Sequence, residues 1–219
     1  MKYLKLSFIL IALSFSLAAC MKNDEPVRYD TDVEGVVMYN NEPLANADIH
    51  FDHYYVPGGF PKQEDAVDSY TVDFNLERTM ELTGYITRFG RGSLLATLFD
   101  RRFETGEYNF AIPDSLLSNG IYIYEIRGAF IQNINRVLFV QKSDSALIHA
   151  RPITTTDQNG RFTLNHEWLG LGSTLSFSNG EIEIDDSLRV MVVADSQMVI
   201  KQAVKIKPNT ENFLEIGID

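Results

Sequence analysis

From Val33 to Ile218 the apolar positions recur every second residue over short runs, and no sustained 3.6-residue period is present. Val33-Glu34-Gly35-Val36-Val37-Met38-Tyr39 combines β-branched and aromatic residues, then meets the turn sequence Asn40-Asn41-Glu42-Pro43. Ala47-Asp48-Ile49-His50-Phe51 alternates, which sets Ala47, Ile49 and Phe51 on one face. Arg161-Phe162-Thr163-Leu164 and the stretches Leu188 to Ala194, Ile200 to Ile206 and Phe213 to Ile218 have the same short-strand character. Many short strands separated by turn signals predict an all-β chain of sandwich type.

The amino terminus breaks this pattern. Met1-Lys2-Tyr3-Leu4-Lys5 is cationic, Leu6 to Leu17 is an almost uncharged apolar run, and Leu17-Ala18-Ala19-Cys20 ends it with the chain's only cysteine. These parts make a cleavable secretory leader over residues 1–19. The run is too short for a permanent membrane span, which needs about 20 apolar residues. Leu-Ala-Ala-Cys resembles the bacterial lipobox. That resemblance implies cleavage before Cys20, diacylation of its thiol and usually acylation of the new amino group. Acyl chains add about 0.8 kcal/mol of membrane affinity per buried methylene, so two or three of them hold a chain without a spanning helix. Residues 20–29 then read as a flexible tether. Within it, Met21-Lys22-Asn23-Asp24-Glu25 resembles the lysine-plus-acidic export signal of Bacteroidota surface lipoproteins. The implied location is the outer membrane with the body on the cell surface; the periplasmic face is the alternative.

Charge narrows the partners. Loss of Lys2 and Lys5 with the leader takes the formal net charge from −11 to −13. Such acidity argues against nucleic-acid binding and against docking on anionic headgroups. With Cys20 lipidated, no thiol remains for a disulfide, a zinc cluster or a nucleophile. Stability has to come from packing, and the 45% apolar content suffices for one or two ordinary cores.

Two family resemblances organise the body. Val33-Glu34-Gly35-Val36-Val37 followed by Asn41-Glu42-Pro43-Leu44-Ala45-Asn46-Ala47-Asp48-Ile49 resembles the opening of carboxypeptidase-regulatory-like, or transthyretin-like, β-sandwich domains. Thr156-Asp157-Gln158-Asn159-Gly160-Arg161-Phe162 is similar to a later strand pair of that family, with Asn159-Gly160 expected to form a tight hairpin at positive φ and Phe162 expected in the core. The two signatures lie about 100 residues apart here, against a few tens in the family. The intervening stretch, above all Leu117-Ser118-Asn119-Gly120-Ile121-Tyr122-Ile123-Tyr124, resembles the small Ig-like domain of flagellar hook-capping proteins and secretion sorting domains. It departs from that pattern at Arg91-Gly92, where the glycine is shifted, and at Phe110, where a Trp is usual. Together the resemblances imply a transthyretin-like sandwich over 30–54 plus 144–219, with an Ig/fibronectin-like sandwich over 55–143 inserted into one loop. Tyr55 to Lys62 reads as the way in and Ser143-Asp144-Ser145 as the way out. A single elaborated sandwich is the competing architecture.

Catalytic chemistry is not evident. His50 and His53 stand three apart on a strand and face opposite sides, while His149 and His166 stand alone, so all four are expected as surface or edge residues rather than metal ligands. Nucleophile-elbow, metalloprotease and phosphate-loop motifs are absent. Asp157-Gln158-Asn159-Gly160 and Asp185-Asp186 suit turn chemistry better than a calcium loop. Glu181, Glu183 and Asp185 alternate on one face and read as a solvated acidic strand rather than a glycosidase pair. No cofactor is expected. Tyr54, Tyr55 and Trp168 lie near predicted loops, where aromatic rings stack on sugars or anchor a protein. The expectation is a non-catalytic binding or accessory module for a protein or polysaccharide; the alternative is a glycan-acting enzyme using surface carboxylates.

Overall fold

The computed structural model describes residues 27–62, 66, 69–90, 94–129, 134–177, 180–195 and 198–218. The leader, Cys20, the export-like segment and the Arg91-Gly92 departure therefore lie outside the described residues. The chain is all-β, with strands arranged in four sheets. Its first strands are β1 (Val33–Tyr39), β2 (Glu42–Pro43) and β3 (Asp48–Val56). The middle of the chain supplies β4 (Tyr70–Leu76), β5 (Met80–Arg88), β6 (Leu94–Phe103), β7 (Gly106–Ile112), β8 (Gly120–Gly128) and β9 (Ile134–Val140). Then follow β10 (Thr154–Thr155), β11 (Arg161–Leu164), β12 (Thr174–Phe177), β13 (Gly180–Ala194), β14 (Met198–Lys205) and β15 (Asn212–Ile218).

Pairing divides these strands into an outer and an inner set. β1 runs antiparallel to β11 and parallel to β15, with Val33 opposite Leu164 and Asn212. β3 pairs with β10 and β13, with Ile49 opposite Thr154 and Val192. Among the described residues, strands before residue 57 thus pair with one another or with strands beyond residue 153. β4 pairs with β7, and β6-β5-β8-β9 forms the remaining sheet.

Two main clusters of buried side chains follow this division in large part, with Phe89 and Ile121 of the inner set joining the outer one. Val33, Val37, Ile49, Phe51, Phe162, Leu164, Val190 and Ile216 belong to the outer cluster; Val72, Leu82, Ile86, Phe99, Phe103 and Tyr122 belong to the inner one. Both cores use a glycine under an aromatic ring on the neighbouring strand. Gly35 lies opposite Phe162, whose Cζ would stand 2.4 Å from a Cβ at position 35. Gly84 lies opposite Phe99 with the same clash at 2.5 Å. The missing side chain opens the slot that the ring fills, the aromatic-rescue arrangement of sheet glycines.

The structure corrects three details. β3 continues to Val56, and Tyr55 and Val56 pair with Ile184 and Glu183, so Tyr55 belongs to a strand rather than to a linker. Residues 157–161 do not close a hairpin, because β10 pairs with β3 and β11 with β1; the turn carries the chain from one sheet to the other. Only Gly160 of the Asn159-Gly160 pair has positive φ, at 69°, and a Cβ there would meet the Val37 carbonyl oxygen at 2.5 Å. β13 also carries an irregularity between Ile184 and Leu188, beyond the alternating Glu181 and Glu183.

Candidate functional site

Three of the buried polar side chains among the described residues, His50, Asp52 and His53, lie on β3, at the contact between the two strand sets. Alternation along this strand gives His50 and Asp52 one face and Ile49, Phe51, His53 and Tyr55 the other. Both faces are covered: His50, Phe51 and Asp52 have no exposed surface, and His53 is 1% exposed. This corrects the expectation that His50 and His53 are surface or edge residues, although they do face opposite sides.

The cover on the His50 face comes from the loop before β8. Ser118 Oγ lies 2.6 Å from His50 Nδ1. Ser118 is itself held by Tyr122, whose hydroxyl accepts from Ser118 N at 2.9 Å and donates to Ser118 O at 3.0 Å. Asn119 Oδ1 accepts from Lys142 N at 2.8 Å, tying the loop to the end of β9. Asp52 is paired across the ladder with Arg189, whose Nε donates to Asp52 Oδ2 at 3.0 Å and whose Nη2 also reaches that oxygen and the Pro61 carbonyl. On the opposite face His53 Nε2 donates to the Leu169 carbonyl at 2.7 Å, which fixes its neutral tautomer.

Burial sets the electrostatics. It pulls both imidazoles down from 6.5 to about 4, and the nearby Arg88 guanidinium adds to the shift. Burial pushes the Asp52 carboxyl above its ordinary range, against the pull of Arg189 and Asn119. Arg88 Nη2 donates to the Tyr122 hydroxyl at 3.0 Å, and the guanidinium lies over the Tyr122 and Phe51 rings. His50 Nε2, His53 Nδ1 and Arg88 Nη1 are buried without a hydrogen-bond partner. Ser118 and His50 have the atom types of a nucleophile and its base, but neither has any exposed surface. A substrate needs the serine oxygen within reach, so the pair is a structural clasp.

The three candidate aromatics do not form one platform. Tyr54 and Tyr55 point to opposite faces of β3. Tyr54 makes a T-shaped contact with Phe60 at 5.1 Å, and Phe60 in turn lies under Arg189. Tyr55 packs edge-on against Phe139 at 5.7 Å and joins the outer core; burial raises its phenol pKa. Trp168 is half-buried in the short helix His166–Leu169. Glu181 and Glu183 are exposed, Ser176 donates to Glu181, and Asp186 pairs with Lys205 at 3.0 Å.

Two open clefts flank the segment leading into β1. One, of about 590 Å3, has Asp32, Glu34, His166, Glu211 and Phe213 in its walls. The other, of about 500 Å3, lies between Tyr29 and Asp30, the outer-set residues Glu167 and Leu171, and the inner-set residues Phe89 and Gly90. A third, of about 450 Å3, lies along β4 and β7 beside Phe74 and Tyr108. Among the described residues no three His, Cys, Asp or Glu side chains stand together as a metal site. Comparison of the chain with protein-family models, with curated proteins and with solved structures finds no match.

Proposed function

We propose that the chain is a lipid-anchored, non-catalytic binding or accessory protein of the bacterial cell envelope, with a protein or polysaccharide as its ligand. One observation carries this reading: the cationic start, the apolar run from Leu6 to Leu17 and the sole cysteine in Leu17-Ala18-Ala19-Cys20. Attachment through an acylated Cys20 requires no spanning segment. Among the described residues no helix is long and apolar enough to cross a membrane.

The body supports a binding role. The strongly shifted imidazoles of His50 and His53 are sealed inside the fold, whereas the clefts open to solvent present acidic and aromatic side chains, with His166 tied to Asp32 in the wall of one of them. The transthyretin-like and Ig-like resemblances, over 30–54 plus 144–219 and over 55–143, belong to this reading, since small β-sandwich modules of both kinds present loops and edges to partners. We place the body on the outer face of the outer membrane on the strength of the Lys22-Asn23-Asp24-Glu25 segment.

Metabolic labelling with an alkyne fatty acid tests the anchor. The native chain is expected to take up label and partition with membranes, and Cys20→Ala to do neither. An unlabelled native chain rejects the lipoprotein reading. Protease shaving of intact cells beside a periplasmic control then decides which face carries the body.

A further inference from the structure

The segment before β1 is fastened to the body by partners far away in sequence. Arg28 N donates to Asn209 Oδ1 at 3.1 Å, and Asn209 N returns a bond to Arg28 O at 2.9 Å. Thr31 Oγ1 donates to Thr210 O at 2.7 Å. Asp32 Oδ1 accepts from His166 N at 2.9 Å and stands 2.7 Å from His166 Nδ1; these bonds hold its carboxyl below the ordinary range. The Tyr29 ring lies over Gly172, where a Cβ would come within 3.0 Å of it, and packs against the edge of the outer core. The receiving loop is itself braced, because Asn212 accepts from Lys207 N and donates to the carbonyls of Lys207 and Thr210. A tether reaching to residue 29 is therefore too long: the chain is fixed from Arg28.

We propose that the anchor holds the end of the outer sheets formed by residues 28–32, the 207–212 loop and the His166–Leu169 helix beside the bilayer, so that this end faces the membrane surface. This inference rests on acylation of Cys20. Seven peptide steps separate Cys20 from Val27, and a chain spans at most about 3.6 Å per residue, or about 25 Å in all. β3 alone, at roughly 3.3 Å per residue, is about 30 Å long. The anchor is therefore too short to stand the molecule inverted, with this end raised by the whole length of β3 and the opposite end on the membrane.

Charge leaves the lipid as the only attraction. Asp30, Asp32, Glu34 and Glu211 at this end outnumber Arg28 and Lys207. An anionic leaflet attracts basic segments and repels this face over a Debye length of about 8 Å at physiological salt. Trp168 sits two residues beyond His166, and its helix backs onto the inner set, since a Cβ at Gly90 would lie 1.9 Å from the Glu167 carbonyl oxygen. Trp168 thus belongs to the same end of the molecule as residues 28–32, to which His166 is bonded.

Trp168 is the chain's only tryptophan, which makes it a unique fluorescence donor. The full lipidated chain is reconstituted in phosphatidylcholine vesicles containing a dansyl-headgroup lipid, and energy transfer from Trp168 is measured. A second form carries 20 Gly/Ser residues between Pro26 and Val27, outside the described body. Strong transfer is expected for the native spacing. The spacer raises the r.m.s. reach of the anchor from about 15 Å to about 29 Å and should lower transfer by about fivefold or more. A vesicle-bound chain without transfer, or transfer that the spacer leaves unchanged, overturns the proposal. A chain that does not sediment with vesicles overturns the acylation reading instead, and the inference with it.

Discussion

Lowering the pH from 7 to 5 should weaken this fold through His50 and His53. Each ring has an ordinary value of 6.5 when the chain is unfolded and about 4 when buried. The unfolded state therefore binds more protons throughout the interval between those values, and stability falls as pH falls. At 1.36 kcal/mol per unit, the loss between pH 7 and pH 5 is about 2 kcal/mol for each ring and about 4 kcal/mol for the two. That is a large share of a typical stability of about 5–15 kcal/mol. The geometry agrees with the sign. His53 already donates through Nε2, so a second proton would put an N–H on Nδ1, which is buried without an acceptor. A proton on His50 would face the neighbouring Arg88 guanidinium, and no carboxylate is hydrogen-bonded to either ring. Asp52 and Asp48 act in the opposite sense, because burial raises their carboxyls and the folded state takes up protons there as pH falls. That contribution is shared by the native chain and a variant lacking the imidazoles, so the difference between the two isolates the imidazoles.

Urea unfolding at pH 7, 6 and 5, on the native chain and on a His50→Gln, His53→Gln double variant, measures the effect. The native midpoint should fall steeply between pH 6 and 5, and the variant should show a much flatter dependence, whatever its absolute stability. A variant with the native slope refutes the assignment of these rings as buried and neutral.

Gly35→Ala should cost about 1–3 kcal/mol, because its Cβ would enter the Phe162 ring; thermal unfolding should show partial recovery when Phe162→Leu is added. Replacing residues 57–142 by a short Gly/Ser linker should leave the outer set without a dispersed NMR spectrum. The outer core would lose the buried Phe89 and Ile121, at about 1.5–3 kcal/mol apiece, and the polar His50 face would lose its cover.

What the sequence discloses and what it hides follow from the range of the interactions. The turn after β1 is legible because Asn40 and Asn41 carry its positive φ values, 49° and 65°, and asparagine tolerates that region. The alternation in β3 correctly sets Ile49 and Phe51 together. Alternation cannot say what lies against the polar face, and here the answer is Ser118, 68 residues onward. Had His50 and Asp52 been read as buried, the alternating run would have looked like a strand covered on both sides. The signal was only that two polar residues sat in a strand whose other face was strongly apolar, which a solvated sheet face shares. The clamp on residues 28–32 was hidden for the same reason, since Asn209 and His166 carry no local mark of a partner at the far end of the chain.

The string Leu117-Ser118-Asn119-Gly120-Ile121-Tyr122 shows why the two strand sets hold one arrangement. A β-strand sends successive side chains to opposite faces, and β8 buries both. Ile121 completes the outer core, while Tyr122 fills the inner one and returns its hydroxyl to Ser118. Apolar contact at Ile121 and Phe89 supplies attraction that is indifferent to small rotations. Hydrogen bonds are directional, and leaving a buried partner unpaired costs about 1–3 kcal/mol. The Ser118–His50 bond and the weaker Asn119 Nδ2 to Met191 Sδ contact therefore select one register out of the many that the apolar contact alone would permit. A one-residue slip of β8 would exchange Ile121 for Tyr122, bring a hydroxyl into the outer core and strand His50 without its serine. The apolar half of this contact accounts for adhesion and the polar half for geometry, which is why the least accessible polar groups in the molecule stand where the two sets meet.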